Sequence, residues 1–67
     1  MNIYINNEPF QFEVTSTLFT VLEQRDLALR NGVAVAVNNV VVPKPNWDNT
    51  LLNDGDKILI IAATQGG

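Results

Sequence analysis

The chain has no cysteine and no histidine among its 67 residues. Without cysteine there is neither a disulfide framework nor a thiolate nucleophile, and without histidine the commonest proton shuttle and metal ligand near neutral pH are missing. The chain is poorly equipped for catalysis. Cations are scarce as well: four Lys and Arg stand against seven Asp and Glu, for a net charge of −3. Such a balance repels phosphate backbones and anionic lipid, and Arg25, Arg30, Lys44 and Lys57 do not cluster, which argues against nucleic acid as a partner. The longest apolar run, Ile58 to Ala63, is far below the roughly 18 residues that span a bilayer. No basic region followed by an apolar stretch opens the chain, so no membrane role and a cytoplasmic location are expected.

What is present suits a small globule. The hydrophobic fraction of 46% is ordinary for a folded domain. A chain this short forms at most one domain and buries only about 60% of its unfolded surface, so a dense core must stand in for staples.

Met1, Ile3 and Ile5 alternate with Asn2, Tyr4 and Asn6, and Phe10, Phe12 and Val14 repeat the period of two, which predicts two strands. Asn6-Asn7-Glu8-Pro9 between them is a turn cluster, so the pair should form an antiparallel hairpin. Thr15, Ser16 and Thr17 precede Leu18, Val21 and Leu22 at helical spacing, with Thr17 the preferred cap. Good helix formers continue through Arg25, Phe19 should point away from the buried stripe, and Asn31-Gly32 supplies a left-handed stop after the helix or a loose final turn. Val33 to Val37 and Val40 to Val42 read as strands around an Asn38-Asn39 turn. Pro43 and Pro45 bar the second from continuing, Asn46 to Leu52 has the length of one short helical turn, and Trp47 should cap the core there. Asp54-Gly55-Asp56 marks a tight turn before the last strand, the run from Ile58 to Ala63.

The first and last strands are natural neighbours at the centre of one sheet. The expected fold is therefore α+β: a ubiquitin-like β-grasp over residues 1–63, with a mixed sheet of about five strands on one helix. Residues 64–67 would form a flexible tail.

Two features could carry function. A sheet covered by one helix buries only one face, so if Ile58, Ile60 and Ala62 face the helix, Leu59 and Ile61 emerge on the other. They either cover their neighbours in a tight small sheet or mark a protein contact. The second feature is the terminal Gly66-Gly67 pair, which chance produces in about 0.5% of proteins at an average glycine usage of about 7%. Without Cβ atoms such a tail can enter a narrow slot, and Gly67 offers an uncrowded carboxylate. Residues 64–67, when extended, reach roughly 13 Å. A frayed end is the alternative. Asp54 and Asp56 lack the further oxygen ligands a metal would need, and the Thr15 to Thr17 hydroxyls have no base to activate them, so turn and capping roles are expected. No Gly-rich phosphate loop is present.

Val42-Pro43-Lys44 with Trp47 shortly after, Asp54-Gly55-Asp56 leading into Ile58-Leu59-Ile60, the Val/Ala strand ending in Asn38, and Gly66-Gly67 together span the chain. In this order and spacing they resemble the ThiS-type sulfur carriers of thiamine thiazole biosynthesis. Gln65 before the diglycine and the second proline, Pro45, depart from that pattern. The resemblance implies a carrier that is not itself an enzyme and binds no cofactor. A ThiF-type, E1-like adenylyltransferase would use ATP and magnesium to make an acyl-adenylate of the Gly67 carboxylate. Sulfur from a cysteine desulfurase relay would then displace AMP, and the Gly67 thiocarboxylate (1-thioglycine) would serve a ThiG-type thiazole synthase. Gly66 maps to the residue that threads the slot. Leu59 and Ile61 are expected on the docking face from the strand pattern alone. A carrier for molybdopterin synthesis, a ubiquitin-like modifier, and a β-grasp binding module with no carrier chemistry are the rival readings.

Overall fold

A computed structural model describes residues 1–12 and 15–62. Five strands and one α-helix follow in the order β1 (Asn2–Ile5), β2 (Glu8–Gln11), α1 (Leu18–Gln24), β3 (Val33–Val37), β4 (Val40–Val41) and β5 (Lys57–Ala62), with a 3-10 helix at Lys44–Asn49. The sheet order is β2-β1-β5-β3-β4. β1 and β5 run parallel, and the other neighbours are antiparallel. First and last strands thus meet at the centre, which is the β-grasp arrangement.

Both hairpins turn on an Asn-Asn pair. Asn6 and Asn7 have φ of 50° and 71°, and Asn38 and Asn39 have 50° and 70°. Two consecutive left-handed residues make the turn whose twist matches flanking strands, and asparagine reaches that region at lower cost than most side chains. The strands are shorter than their apolar patterns suggest: β1 stops at Ile5 and β4 at Val41, although the Val42 amide still donates to the Val35 carbonyl at 2.9 Å. Pro9 sits in β2 at the outer edge, where no neighbour requires its missing N–H. Val14 and Ala63 lie outside the described residues.

Thr17 caps α1 as expected, its Oγ1 accepting the Thr20 amide at 3.2 Å. The helix ends one residue before the expected Arg25, which is the C-cap. Asp26 then takes φ of 60°, the Asp26 amide donates to the Glu23 carbonyl and the Leu27 amide to the Leu22 carbonyl. This paired closure ordinarily uses glycine; here an aspartate fills the left-handed position. Gly32, with φ of 77°, closes the irregular segment before β3 instead of the helix. Phe19 also differs from expectation. It is half-buried and packs against the core, because a ring that size reaches back to the core edge from a flanking helix position.

The short helix after β4 begins at Lys44, two residues before the expected Asn46, since the fixed φ of Pro45 suits a first helical turn. Trp47 is 1% exposed and donates its indole N–H to the Val42 carbonyl at 2.8 Å. It joins Ile3, Ile5, Leu18, Val21, Leu22, Val35, Leu52 and Ile58 in one buried cluster. Among the described residues no helix is long and apolar enough to cross a membrane.

Trp47→Ala is expected to cost about 3–5 kcal/mol, the range for removing a buried aromatic, and to leave the Val42 carbonyl without its donor. Urea unfolding followed by far-UV circular dichroism measures the loss.

Candidate functional site: the open face of the sheet

Register decides what the uncovered face presents. In β5, Ile58 is buried and Ile60 partly buried against the core, while Leu59 and Ile61 are 52% and 59% exposed. The expected strand phase holds for these four. Ala62 is a correction: it is exposed, because it pairs with Val33 at the rim of the sheet, where β3 begins and Val33 itself is only partly buried.

β3 explains why the face is concave beside these residues. Val33, Val35 and Val37 face the core, leaving Ala34 and Ala36 on the open side. Ala34 pairs with Ile61, and Ala36 pairs with Leu59 on one side and Val41 on the other. Two methyl groups therefore form a floor between taller walls. The resulting depression of about 120 Å³ is lined by Ala34, Val35, Ala36, Val41, Leu59 and Ile61. Sequence reasoning reached Leu59 and Ile61 but missed Ala34, Ala36 and Val41. The signal was there: alternation of Val with Ala places every small residue of β3 on one face.

The strand that carries this face is held at both ends by asparagine side chains. At its start, Asn38 Oδ1 accepts the Lys57 amide at 3.0 Å, and Asn38 Nδ2 donates to Asp56 Oδ1 at 2.9 Å. Farther along, the Asn6 amide donates to the Ile58 carbonyl at 2.9 Å before the chain turns away into the hairpin. The Asn6 side chain then continues the ladder: Oδ1 accepts the Ile60 amide at 2.8 Å and Nδ2 donates to the Ile60 carbonyl at 3.3 Å. The strand leading to the C-terminus is thus tied to its parallel neighbour beyond the last residue of β1.

Asp54 and Asp56 have structural work. Asp54 Oδ1 accepts the Asn2 amide and Asp56 Oδ2 accepts the Asn53 amide, each at 2.7 Å, while the Gly55 amide donates to the Asn2 carbonyl. Gly55 has φ of 87°, the conformation expected of the tight turn. Among the described residues no group of three or more His, Cys, Asp or Glu could hold a metal ion. Gly66 and Gly67, the expected threading and loaded residues, lie outside the described residues.

A five-stranded mixed sheet on one helix, with an apolar open face along the C-terminal strand, defines a ubiquitin-like β-grasp protein. Comparison with known proteins is more specific. The ThiS family model matches residues 2–67. The sulfur carrier protein ThiS of Escherichia coli (strain K12) is 34% identical over 67 residues, which cover all of both chains. A thiazole synthase of Paramagnetospirillum magneticum is 36% identical over 67 residues, all of this chain and 20% of that protein. The crystal structure of the thiamine biosynthesis protein ThiS from Geobacter metallireducens matches with a TM-score of 0.82 at 25% identity, covering all of both chains. The chain belongs to the ThiS family.

Two variants check the strand phase. Ile61→Asp should change stability by under about 0.5 kcal/mol, as exposed substitutions do, whereas Ile60→Asp should cost several kcal/mol by placing a charge against the core. Chemical denaturation of both separates them. Asn6→Ala should weaken the chain by about 1–3 kcal/mol, because the Ile60 amide and carbonyl lose their partners. Faster exchange of the Ile60 amide by NMR is the local readout.

Proposed function

We propose that this chain carries sulfur on the carboxylate of Gly67 and delivers it for thiamine thiazole synthesis. Family membership over residues 2–67 is the observation that carries this reading. A free carboxylate is a resonance-stabilised anion that a sulfur nucleophile does not attack. An E1-like adenylyltransferase of the ThiF type, using ATP and magnesium, attaches the Gly67 oxygen to the α-phosphorus and releases pyrophosphate. The acyl carbon then bears AMP as leaving group. A persulfide from a cysteine desulfurase relay displaces AMP, a second thiol cleaves the S–S bond, and the thiocarboxylate remains. The chain supplies the acyl group and the docking surface, not the catalytic groups.

Thiazole synthase is the acceptor in this reading. A segment like this whole chain lies within a longer thiazole synthase polypeptide, and joining two activities in one chain is economical where one consumes the product of the other. The open face around Leu59 and Ile61 serves as the docking surface. Exposed, contiguous apolar side chains are the usual mark of a protein contact. Residues 63–67 could carry Gly67 at most roughly 16 Å past Ala62, so the partner's active site must lie close to the edge of the docked body. The location proposed with this reading is the cytoplasm.

Incubation with its adenylyltransferase, ATP, magnesium and a persulfide source should raise the intact mass by the difference between sulfur and oxygen. Appending one alanine after Gly67 should abolish the gain while leaving the circular dichroism spectrum unchanged. Loss of the spectrum, or a mass gain that survives the extra alanine, counts against Gly67 as the loaded group. A β-grasp binding module without carrier chemistry would show no gain in either form.

A further inference from the structure

The apolar depression ends at Leu59, and a second depression of a different character begins there. It has a volume of about 230 Å³, and its lining includes Tyr4, Asn6, Asn7, Asn39, Lys57 and Leu59. The lining comes from both hairpins. Asn6 and Asn7 form the turn between β1 and β2, Asn39 belongs to the turn between β3 and β4, and Lys57 opens β5 between them. Lys57 is the single charged residue among those lining either depression.

The ammonium of Lys57 has no counterion among the described residues. Its nearest acidic neighbour in sequence, Asp56, is already engaged: one oxygen takes the Asn53 amide and the other the Asn38 side chain. Two other cations of the chain are settled on aromatic rings, Arg25 over Phe10 at 5.0 Å and Lys44 over Trp47 at 5.9 Å. Lys57 instead shares its depression with residues whose side chains are polar but neutral: Tyr4, Asn6, Asn7 and Asn39.

We infer that this polar depression receives an Asp or Glu side chain of the adenylyltransferase, with Lys57 as its counterion. The inference rests on the docking reading above, whose apolar surface it adjoins through Leu59. Charge selects the occupant. The chain carries −3 overall, which disfavours a polyanion such as nucleic acid or an anionic membrane, whereas one carboxylate needs one cation and a few neutral donors. Position gives the contact its effect. An apolar patch alone fixes the partner's distance but not its rotation, and a charge at one end fixes the rotation. Lys57 lies at the end of β5 farthest from the C-terminus, so pairing there aligns the strand with the direction in which residues 63–67 must enter the partner. Lys57 is thus a specificity-determining residue, not a catalytic one.

The test measures the dissociation constant of the intact chain for its adenylyltransferase, by calorimetry, in low salt and in about 0.5 M NaCl, where the screening length falls to a few ångströms. Lys57→Met should bind about 5- to 10-fold more weakly in low salt and match the parent in high salt, and Lys57→Arg should restore most of the low-salt affinity. Leu59→Ser should weaken binding about equally at both salt concentrations. Parental affinity of Lys57→Met in low salt overturns the inference, even if Leu59→Ser binds weakly. Parental affinity of Leu59→Ser overturns the docking reading beneath it. A Lys57→Met defect that persists unchanged in high salt also overturns the inference, because it assigns Lys57 a packing role.

Discussion

The structure depends on β5 being apolar on both faces while standing at the centre of the sheet. One side of the strand, Ile58 and Ile60, anchors the core, and the other, Leu59 and Ile61, remains uncovered because among the described residues a single α-helix lies on the sheet. A central strand cannot fray without losing two ladders at once. Its hydrogen-bonding groups are met by β1 and β3 and, where β1 has turned away, by the side chain of Asn6. Rigidity of β5 and exposure of its outer face are therefore consequences of the same arrangement.

A domain of 67 residues reaches this without cross-links by concentrating large side chains where the elements converge. A seven-residue helix is unstable alone, since forming its first turn fixes several residues for a single hydrogen bond. It persists because Leu18, Val21 and Leu22 are fully buried and because the segment after the 3-10 helix ties it down. The Leu18 amide donates to the Thr50 carbonyl and the Leu52 amide to the Ser16 carbonyl, so the helix start and the segment before β5 share a short bridge. Trp47 fills the remaining volume and satisfies its one polar atom within the same segment.

Much of this was legible in the sequence because period and turn chemistry agree. Alternation in β1, helical spacing from Leu18 to Leu22, and the two Asn-Asn turns each specify one local structure, and their order permits few topologies. What escaped was set by tertiary geometry. Nothing local announces that Asp26 will occupy the position usually given to glycine, because the strain there is offset by the packing of Leu27 against the core. Nor does sequence alone show that Asn6 serves two strands, since its side-chain partner is 54 positions away. The residues of the open face were half visible. Leu59 and Ile61 stand out as surplus hydrophobes, whereas Ala34 and Ala36 matter for being small, and smallness becomes a feature only when register sets larger neighbours beside them.

An exposed apolar face invites unwanted association, and the edges of this sheet decide which kinds remain open. A flat, bare edge strand would let copies add to one another through backbone hydrogen bonds. Here one edge is β2, four residues long with Pro9 lacking an N–H, and the other is β4, only two residues long. Neither offers a long template. Net negative charge adds repulsion between copies at a distance. The route left to a partner is side-chain packing onto the open face, where shape and charge can discriminate, in place of strand pairing, which would accept almost any extended chain.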